Sequence, residues 1–377
     1  MQDLAVTPPL FKETVFDDPS IRDLSKVGVI DIGSNSVRLV VFDGAARSPA
    51  YFFNEKIMCG LGVGLSLNGK LNPTGRVRAI AAIARFKNLA LSMGIHELTA
   101  IATAAVRTAS DGQDFCKEVM EKTGQFIAMI SGEEEAKLSA QGVLTGWPGA
   151  YGLVCDLGGT SLELAEISNG KVGKCASSEL GPLKLMDISK KKERLEFIKS
   201  ELSDLAKSFS PRNNRLFLVG GSWRALARID MERCDHPLRV LHEYRMEKKT
   251  IKDLKHFIKD QGLENVAKQC SISGNRIMFI PYAIEVLEKL SNIFRSKDIA
   301  ISSYGIREGM LYEKMPQMLR DRDPLIEACR FAEAKDARVP GAGKALFNFV
   351  KPLFSNAKES ETRLIQAACL LNDVSWR

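Results

Sequence analysis

Asp156-Leu157-Gly158-Gly159-Thr160-Ser161 is the stretch on which the reading of the fold turns. An apolar run, Gly152-Leu153-Val154-Cys155, leads into it, and residues 162–167 lead out of it. Both flanks read as buried strands. An acid at a strand end is followed by two adjacent glycines and then two hydroxyls. Glycines let a backbone bend tightly and approach a ligand with no Cβ in the way. Backbone N–H groups turned inward form an anion-binding concavity. The acid suits a divalent cation, since hard cations take oxygen ligands. The parts describe a cradle for phosphate and metal; taken alone, the stretch reads equally as a Gly-rich hairpin turn.

An internal repeat favours the cradle. Asp31-Ile32-Gly33-Ser34-Asn35-Ser36 has the same form, between apolar runs at 27–30 and 37–42. A repeat that occurs twice, at 31–36 and again at 156–161, implies two related domains rather than a solenoid. Two such loops, facing each other, would close on one ligand.

The 377 residues suit two or three domains at about 150 residues each. Hydrophobic content of 45% and charged content of 26% are ordinary for a globular chain. No apolar run approaches the roughly 18 residues of a membrane span, and residues 1–26, with Pro8-Pro9, read as a loose arm without a signal-peptide core. The eight cysteines form no Cys-x-x-Cys pair, which argues against a zinc site or disulfide framework and for free thiols in the cytoplasm. The net charge of +7 suits a polyanion, or simply a basic surface. The aromatic-basic interleaving of RNA-binding sheets is missing, so no specific nucleic-acid partner is expected. The histidines at 96, 236, 242 and 256 are scattered, so hydrolysis, if present, falls to carboxylates, a cation and backbone dipoles.

Along the chain, strands are expected at 27–32, 37–42, 98–102, 126–130, 152–155, 162–167, 171–178, 216–219 and 299–301. Helices are expected at 73–93, 111–123, 189–208, 247–260 and 276–295. Gly60, Gly62 and Gly64 mark a connector or a further phosphate loop. Arg107 follows a strand end, where an α/β sheet presents its crevice; it reads as a phosphate fork or as a surface arginine. Ser131 and Glu134 form a capping box, and the neighbouring Glu135 is free to act at the cleft. Lys190-Lys191-Lys192 reads mainly as a solvated face. Gly220-Gly221-Ser222 is a third glycine turn, opening a helix whose N-terminus suits an anion. Beyond Pro324 the chain reads as helical and irregular.

These motifs together resemble the exopolyphosphatase and guanosine pentaphosphate phosphohydrolase family, within the actin, sugar-kinase and Hsp70 superfamily. The likeness rests on residues 31–36, Ala102-Thr-Ala-Ala-Val-Arg107, Ser131-Gly-Glu-Glu-Glu-Ala136, 156–161 with Glu163, Gly220-Gly-Ser222 and Gly305-Ile-Arg-Glu-Gly309, in family order. It implies an α/β fold of two RNase H-like domains, here 27–150 and 151–316, with an interdomain cleft and a partial helical region at 317–377. It implies Glu135 as general base, and Asp156 with Glu163 as catalytic carboxylates that hold Mg²⁺ or another divalent cation. Phosphate binding falls to Arg107, to Asp31, Gly33, Ser34, Asn35 and Ser36, and to Gly158, Gly159, Thr160 and Ser161. Thr160 departs from the family, which usually has a third glycine there. Residues 367–376 resemble the start of a further helical domain found in longer relatives, so the sequence reads as a shortened form or as a piece of a longer chain.

The implied reaction removes a terminal phosphate from inorganic polyphosphate, or the 5′-phosphate of guanosine pentaphosphate, a link to the stringent response. A homodimer is compatible with this reading and a membrane partner is not expected. A superfamily kinase and a non-catalytic alarmone or polyphosphate sensor stand as readings of another class.

Overall fold

The computed structural model describes residues 26–374, except 45, 96–97 and 210–214. The arm expected at 1–26 therefore lies almost wholly outside the described residues, as does His96.

The first sheet contains β1 (Val27–Ile32), β2 (Ser36–Phe42), β3 (Tyr51–Met58), β4 (Leu98–Ala102) and β5 (Ile127–Met129), in the order β3-β2-β1-β4-β5. The second contains β6 (Gly152–Leu157), β7 (Leu162–Ser168), β8 (Lys171–Ser178), β9 (Arg215–Val219), β10 (Arg245–Glu247) and β11 (Asp298–Ile301), in the order β10-β11-β9-β6-β7-β8. Read from its β8 edge, the second sheet runs β8-β7-β6-β9-β11, the same succession as the first. In each sheet the central strand ends in one of the two Asp loops and pairs in parallel with the strand beyond, β1 with β4 and β6 with β9. The sequence repeat is thus a repeat of topology, and β10, antiparallel to β11, is an addition to the second copy.

Burial follows position in the sheet. β6 is apolar and buried over four successive residues, as a strand covered on both faces must be. The edge strands β3 and β8 are exposed or half-buried throughout and carry lysines and polar residues, which discourages pairing with other chains. One hydrophobic core gathers Ile30, Leu39, Ile83, Phe86 and Phe115 beside the first sheet. Another gathers Leu164, Trp223, Leu287 and Ile299 beside the second. No helix among the described residues is long and apolar enough to cross a membrane.

Local signals set the helix starts. Asn72 accepts from Gly75 N–H at 2.8 Å ahead of Pro73, which fits the first helical position because it has no N–H to satisfy. The capping box of Ser131 and Glu134 opens the helix Gly132–Gly146. The single helix expected over 276–295 is two, Gly274–Ile277 and Ile280–Ile293. Pro281 explains the break, since its ring and missing N–H cannot continue a helix from the preceding turn. Residues 245–247, on which the expected helix at 247 encroached, form β10 instead, and that helix starts at Thr250.

By compactness the described chain divides into a unit of Gly28–Val41 with Phe53–Met310, and a second unit that includes Phe42–Phe52 and the residues from Leu311 onward. In the second, helices Pro324–Asp336 and Glu359–Leu371 enclose a small core of Ile326, Cys329, Ala367 and Leu370. Buried Arg47 donates from Nε to Arg322 O at 2.9 Å there.

Within the larger unit, the helix Gly132–Gly146 leaves the first sheet and packs on β6, β7 and β8 of the second. Residues 305–309 cross it with backbone against backbone. A Cβ at Gly142 would lie 2.1 Å from Gly305 O, and one at Gly309 would lie 1.8 Å from Leu138 O. Neither position tolerates a side chain without a backbone shift. Gly309→Ala is therefore expected to destabilise the protein by about 1–3 kcal/mol, the usual cost of overpacking, in chemical denaturation; unchanged stability would show that the crossing yields freely.

Candidate active site

The two repeated loops are built alike. Gly33 N–H donates to Ser36 O at 3.1 Å, and Gly158 N–H donates to Ser161 O at 3.0 Å. Each turn closes on itself at the same place after its aspartate. The loops also meet: a Cβ at Gly159 would fall 2.1 Å from Ser34 Oγ, so glycine is what allows the approach. The glycines at 60–64 serve neither as a loose connector nor as a third cradle wall. Gly62 N–H donates to Ser34 O at 2.7 Å, and the N–H groups of Cys59 and Gly60 donate to Asn35 O at 3.0 Å. This segment braces the first loop from behind.

A cavity of about 220 Å³ lies where the loops meet. Asp31, Gly33, Ser34, Asn35 and Ser36 line it from the first loop. Asp156, Gly158, Gly159, Thr160 and Ser161 line it from the second, and Glu135 joins them. The third glycine turn, Gly220-Gly221-Ser222, is also on the wall. Gly220 sits at φ 116°, a conformation that few side chains allow, and opens the helix Gly221–Arg233 toward the cavity.

Arg107 and Glu163 stand behind the wall rather than on it. Arg107 lies in a short helix, Ala104–Thr108, just past β4. Its Nη1 donates to Glu135 Oε2 at 3.0 Å and to Ile130 O at 2.9 Å, so it holds the carboxylate of Glu135 in place. Glu163 pairs directly across from Asp156 in the antiparallel β6–β7 register, which puts both side chains on one face. It is only 1% exposed. Its Oε1 accepts from Ser177 Oγ at 3.0 Å, while among the described residues its buried Oε2 has no partner within hydrogen-bond distance.

The cavity holds both signs of charge. Burial raises the pKa of Asp31, Asp156 and Glu163, the last well above its ordinary value. Burial pushes Glu135 up to about 7, with Arg107 opposing. Lys56, Arg224, Arg276 and Arg307 line the same space. Burial lowers Lys56 to about 8, helped by repulsion from Arg276, Arg38 and Arg307. Arg38 falls to about 10 for the same reasons, burial first and then repulsion from Arg307 and Arg224. An anion entering here relieves the crowded cations. A hard cation would relieve the carboxylates, and the orphaned oxygen of Glu163 beside Asp156 is the right kind of donor for it. Among the described residues no three His, Cys, Asp or Glu side chains converge as a metal cage. Mg²⁺ is commonly held by one or two carboxylates with phosphate oxygens and water completing its shell, so the donor set fits that mode.

Sequence reasoning did not single out Lys56, Arg224 or Arg276, and quoted Arg307 without a role. Arg224 lies two residues past Gly220-Gly-Ser222, and Arg307 lies inside Gly305-Ile-Arg-Glu-Gly309. Lys56 and Arg276 carry no local mark.

A model of the Ppx/GppA phosphatase family matches residues 40–318. Exopolyphosphatase 1 of Mycobacterium tuberculosis is 34% identical over 143 residues, which cover 37% of this chain and 42% of that protein. The guanosine-5'-triphosphate,3'-diphosphate pyrophosphatase of Aeromonas hydrophila is 23% identical over 368 residues, covering 92% of this chain and 72% of the relative. The match to the first of these relatives thus spans less than half of its length. Among solved structures, an exopolyphosphatase from Cytophaga hutchinsonii has a TM-score of 0.70 at 22% identity, covering 80% of this chain and 99% of that one. The Ppx-GppA enzyme of Aquifex aeolicus has a TM-score of 0.64 at 25% identity, covering 77% and 99%. The likeness to the Cytophaga structure is one of fold, and the architecture is the paired α/β arrangement of the actin-like class.

Glu163 gives a test of the site's electrostatics. Its folded pKa lies above its unfolded one, so above the ordinary Glu value of about 4.3 the folded state holds a proton that the unfolded state has released, and stability falls as pH rises. Glu163→Gln keeps an acceptor for Ser177 and removes that penalty. In chelator-containing buffer the variant is expected to unfold at a higher temperature than the parent, with the gap widening from about pH 5 to 8. A lower midpoint, or a gap that ignores pH, would contradict this account.

Proposed function

The chain belongs to the Ppx/GppA phosphatase family, and on that premise we propose that it hydrolyses the terminal phosphoanhydride of inorganic polyphosphate, releasing phosphate with Mg²⁺ or a similar divalent cation. The observation that carries this reading is the meeting of two like glycine turns in one cavity that holds Glu135 and Asp156 together with Lys56, Arg224, Arg276 and Arg307. A chain of phosphates matches that mixture. Its oxygens accept from the loop N–H groups and the guanidinium forks, and its negative charge separates the cations from one another.

In this reading the loops at 33–36 and 158–161 hold the terminal phosphates in line for attack. Glu135 orients a water and takes its proton as the new P–O bond forms and the P–O bond to the shortened chain breaks. Arg107 keeps the Glu135 carboxylate aimed. Asp156 and Glu163 would hold the cation, which when bound neutralises charge on the phosphate oxygens. The departing chain end keeps its negative charge beside Arg224 and Arg307.

A second reading, guanosine pentaphosphate as substrate, draws on Phe279, an aromatic residue that lines the cavity with Arg276 and is of the kind that stacks on a base. Phosphate release from polyphosphate, guanosine pentaphosphate and ATP, with Mg²⁺ and with chelator, separates the two. Polyphosphate is expected to be cleaved fastest and only with the cation. Faster release from guanosine pentaphosphate would transfer the assignment to the second reading. Release from none of them by folded protein would end the hydrolase reading and leave a sensor.

Within the acidic cluster, Glu135→Gln is expected to lower turnover ~10²–10⁴-fold, the usual worth of a general base. Glu134→Gln is expected to cost little, because Glu134 serves the helix cap and Gln also completes a capping box. Asp156→Ala should abolish cation-dependent turnover in folded protein. A more damaging effect at Glu134 than at Glu135 would reverse the assignment.

A further inference from the structure

The helix Gly132–Gly146 brings a second polar side chain to the site. Glu135 and Ser139 are four residues apart, one turn, and so share a face of the helix. Ser139 is fully buried, and its hydroxyl donates to Asp156 Oδ2. A serine in the middle of a buried helical face is an expensive choice unless its hydroxyl has fixed work. Serine hydroxyls in helices commonly turn back to the carbonyl one turn earlier; this one reaches out of its helix to a carboxylate on β6. The helix is stiff, so this bond sets the distance between Glu135, one turn away, and Asp156.

We infer that Ser139 is the positioning residue that fixes Asp156 for cation binding and keeps it in register with Glu135. The inference rests on the cation role proposed for Asp156. The bond occupies Oδ2 and restrains the carboxylate, while Oδ1 lies toward Gly220, which is on the cavity wall. Ser177 does the same for Glu163 from β8, through the 3.0 Å bond to Oε1. Each carboxylate expected to hold the ion thus has its own hydroxyl. Partners of this kind, which orient a metal ligand without touching the metal, typically matter 10–100-fold in affinity or activity.

The test is a titration of the full chain with Mn²⁺ in the presence of inorganic phosphate, reading free ion by electron paramagnetic resonance. It compares the parent with Ser139→Ala, Ser139→Cys and Ser139→Thr. Ala and Cys, which lack a strong donor, are expected to bind Mn²⁺ about 10-fold more weakly. Thr, which keeps the hydroxyl, is expected to retain the parent affinity. Cys is nearly the size of Ser, so it carries the test if Ala disturbs the fold. In turnover, the cation concentration for half activation is expected to rise with the same ratio, while KM for polyphosphate at saturating cation stays near the parent value. Unchanged Mn²⁺ affinity in folded Ala or Cys variants would overturn the inference and leave Ser139 a packing residue. A parent that binds no Mn²⁺ would overturn both the inference and the cation role of Asp156. Tight Mn²⁺ binding that depends on Ser139, without phosphate release from any substrate, would uphold the inference and sink only the proposed reaction.

Discussion

Carboxylates buried together are the constraint on which the arrangement depends. Asp31, Glu135, Asp156 and Glu163 come from two sheets and a helix, and burial raises the pKa of each. A fold does not gather acids away from water without compensation. Here the compensation is local and partial. Arg107 neutralises Glu135, Ser139 and Ser177 satisfy one oxygen each of Asp156 and Glu163, and Arg307 approaches Asp31 at 4.0 Å. What remains is a site poised for ions of both signs, with an unsatisfied oxygen on Glu163 and a set of crowded cations across the cavity.

The helix Gly132–Gly146 makes that concentration of charge possible. It begins after β5 with a capping box and packs on β6–β8, so it places residues of the first half against strands of the second. The glycine crossing at 142 and 305–309 holds it at a backbone-to-backbone distance that no larger side chain permits. Glu135 and Ser139 then project from one face toward neighbouring strands, where the register has already set Asp156 beside Glu163. Position is what sets Glu135 apart from an ordinary glutamate: its helix backbone and its partner Arg107 are both held by packed elements.

The two sheets show how the repeat was used. Both copies keep the central strand, the glycine turn and the parallel neighbour. Their additions differ: the first is followed by the helix that carries Glu135, the second by the glycine turn at Gly220 and the arginines that line the cavity. The repeated cradle thus carries different side chains on its two sides: Asp31, Lys56, Arg107 and Glu135 come from the first, and Asp156, Glu163, Arg224, Arg276 and Arg307 from the second.

Much of this was legible in the chain itself. Apolar runs around Asp31 and Asp156 determine the central strands, and the glycines after them determine the turns, because strand pattern and turn chemistry act over a few residues. The cap at Ser131 and Glu134 is local in the same way, as is the proline that opens the helix Pro73–Ser92. Lys56 and Arg276 left no such trace. Their neighbours in sequence say nothing of a cavity, and they reach it only because an edge strand and a short helix far apart in the chain pack around the loops. Arg107 was visible as a residue of interest, but its bond to Glu135 across 28 positions was not. Ser139 looked like one more helix position until β6 was laid beside it. Local backbone preferences are written residue by residue, and so the sequence alone determined the elements and the paired loops. Which charges share one low-dielectric space depends on contacts between distant segments, and only the packed tertiary structure decided that.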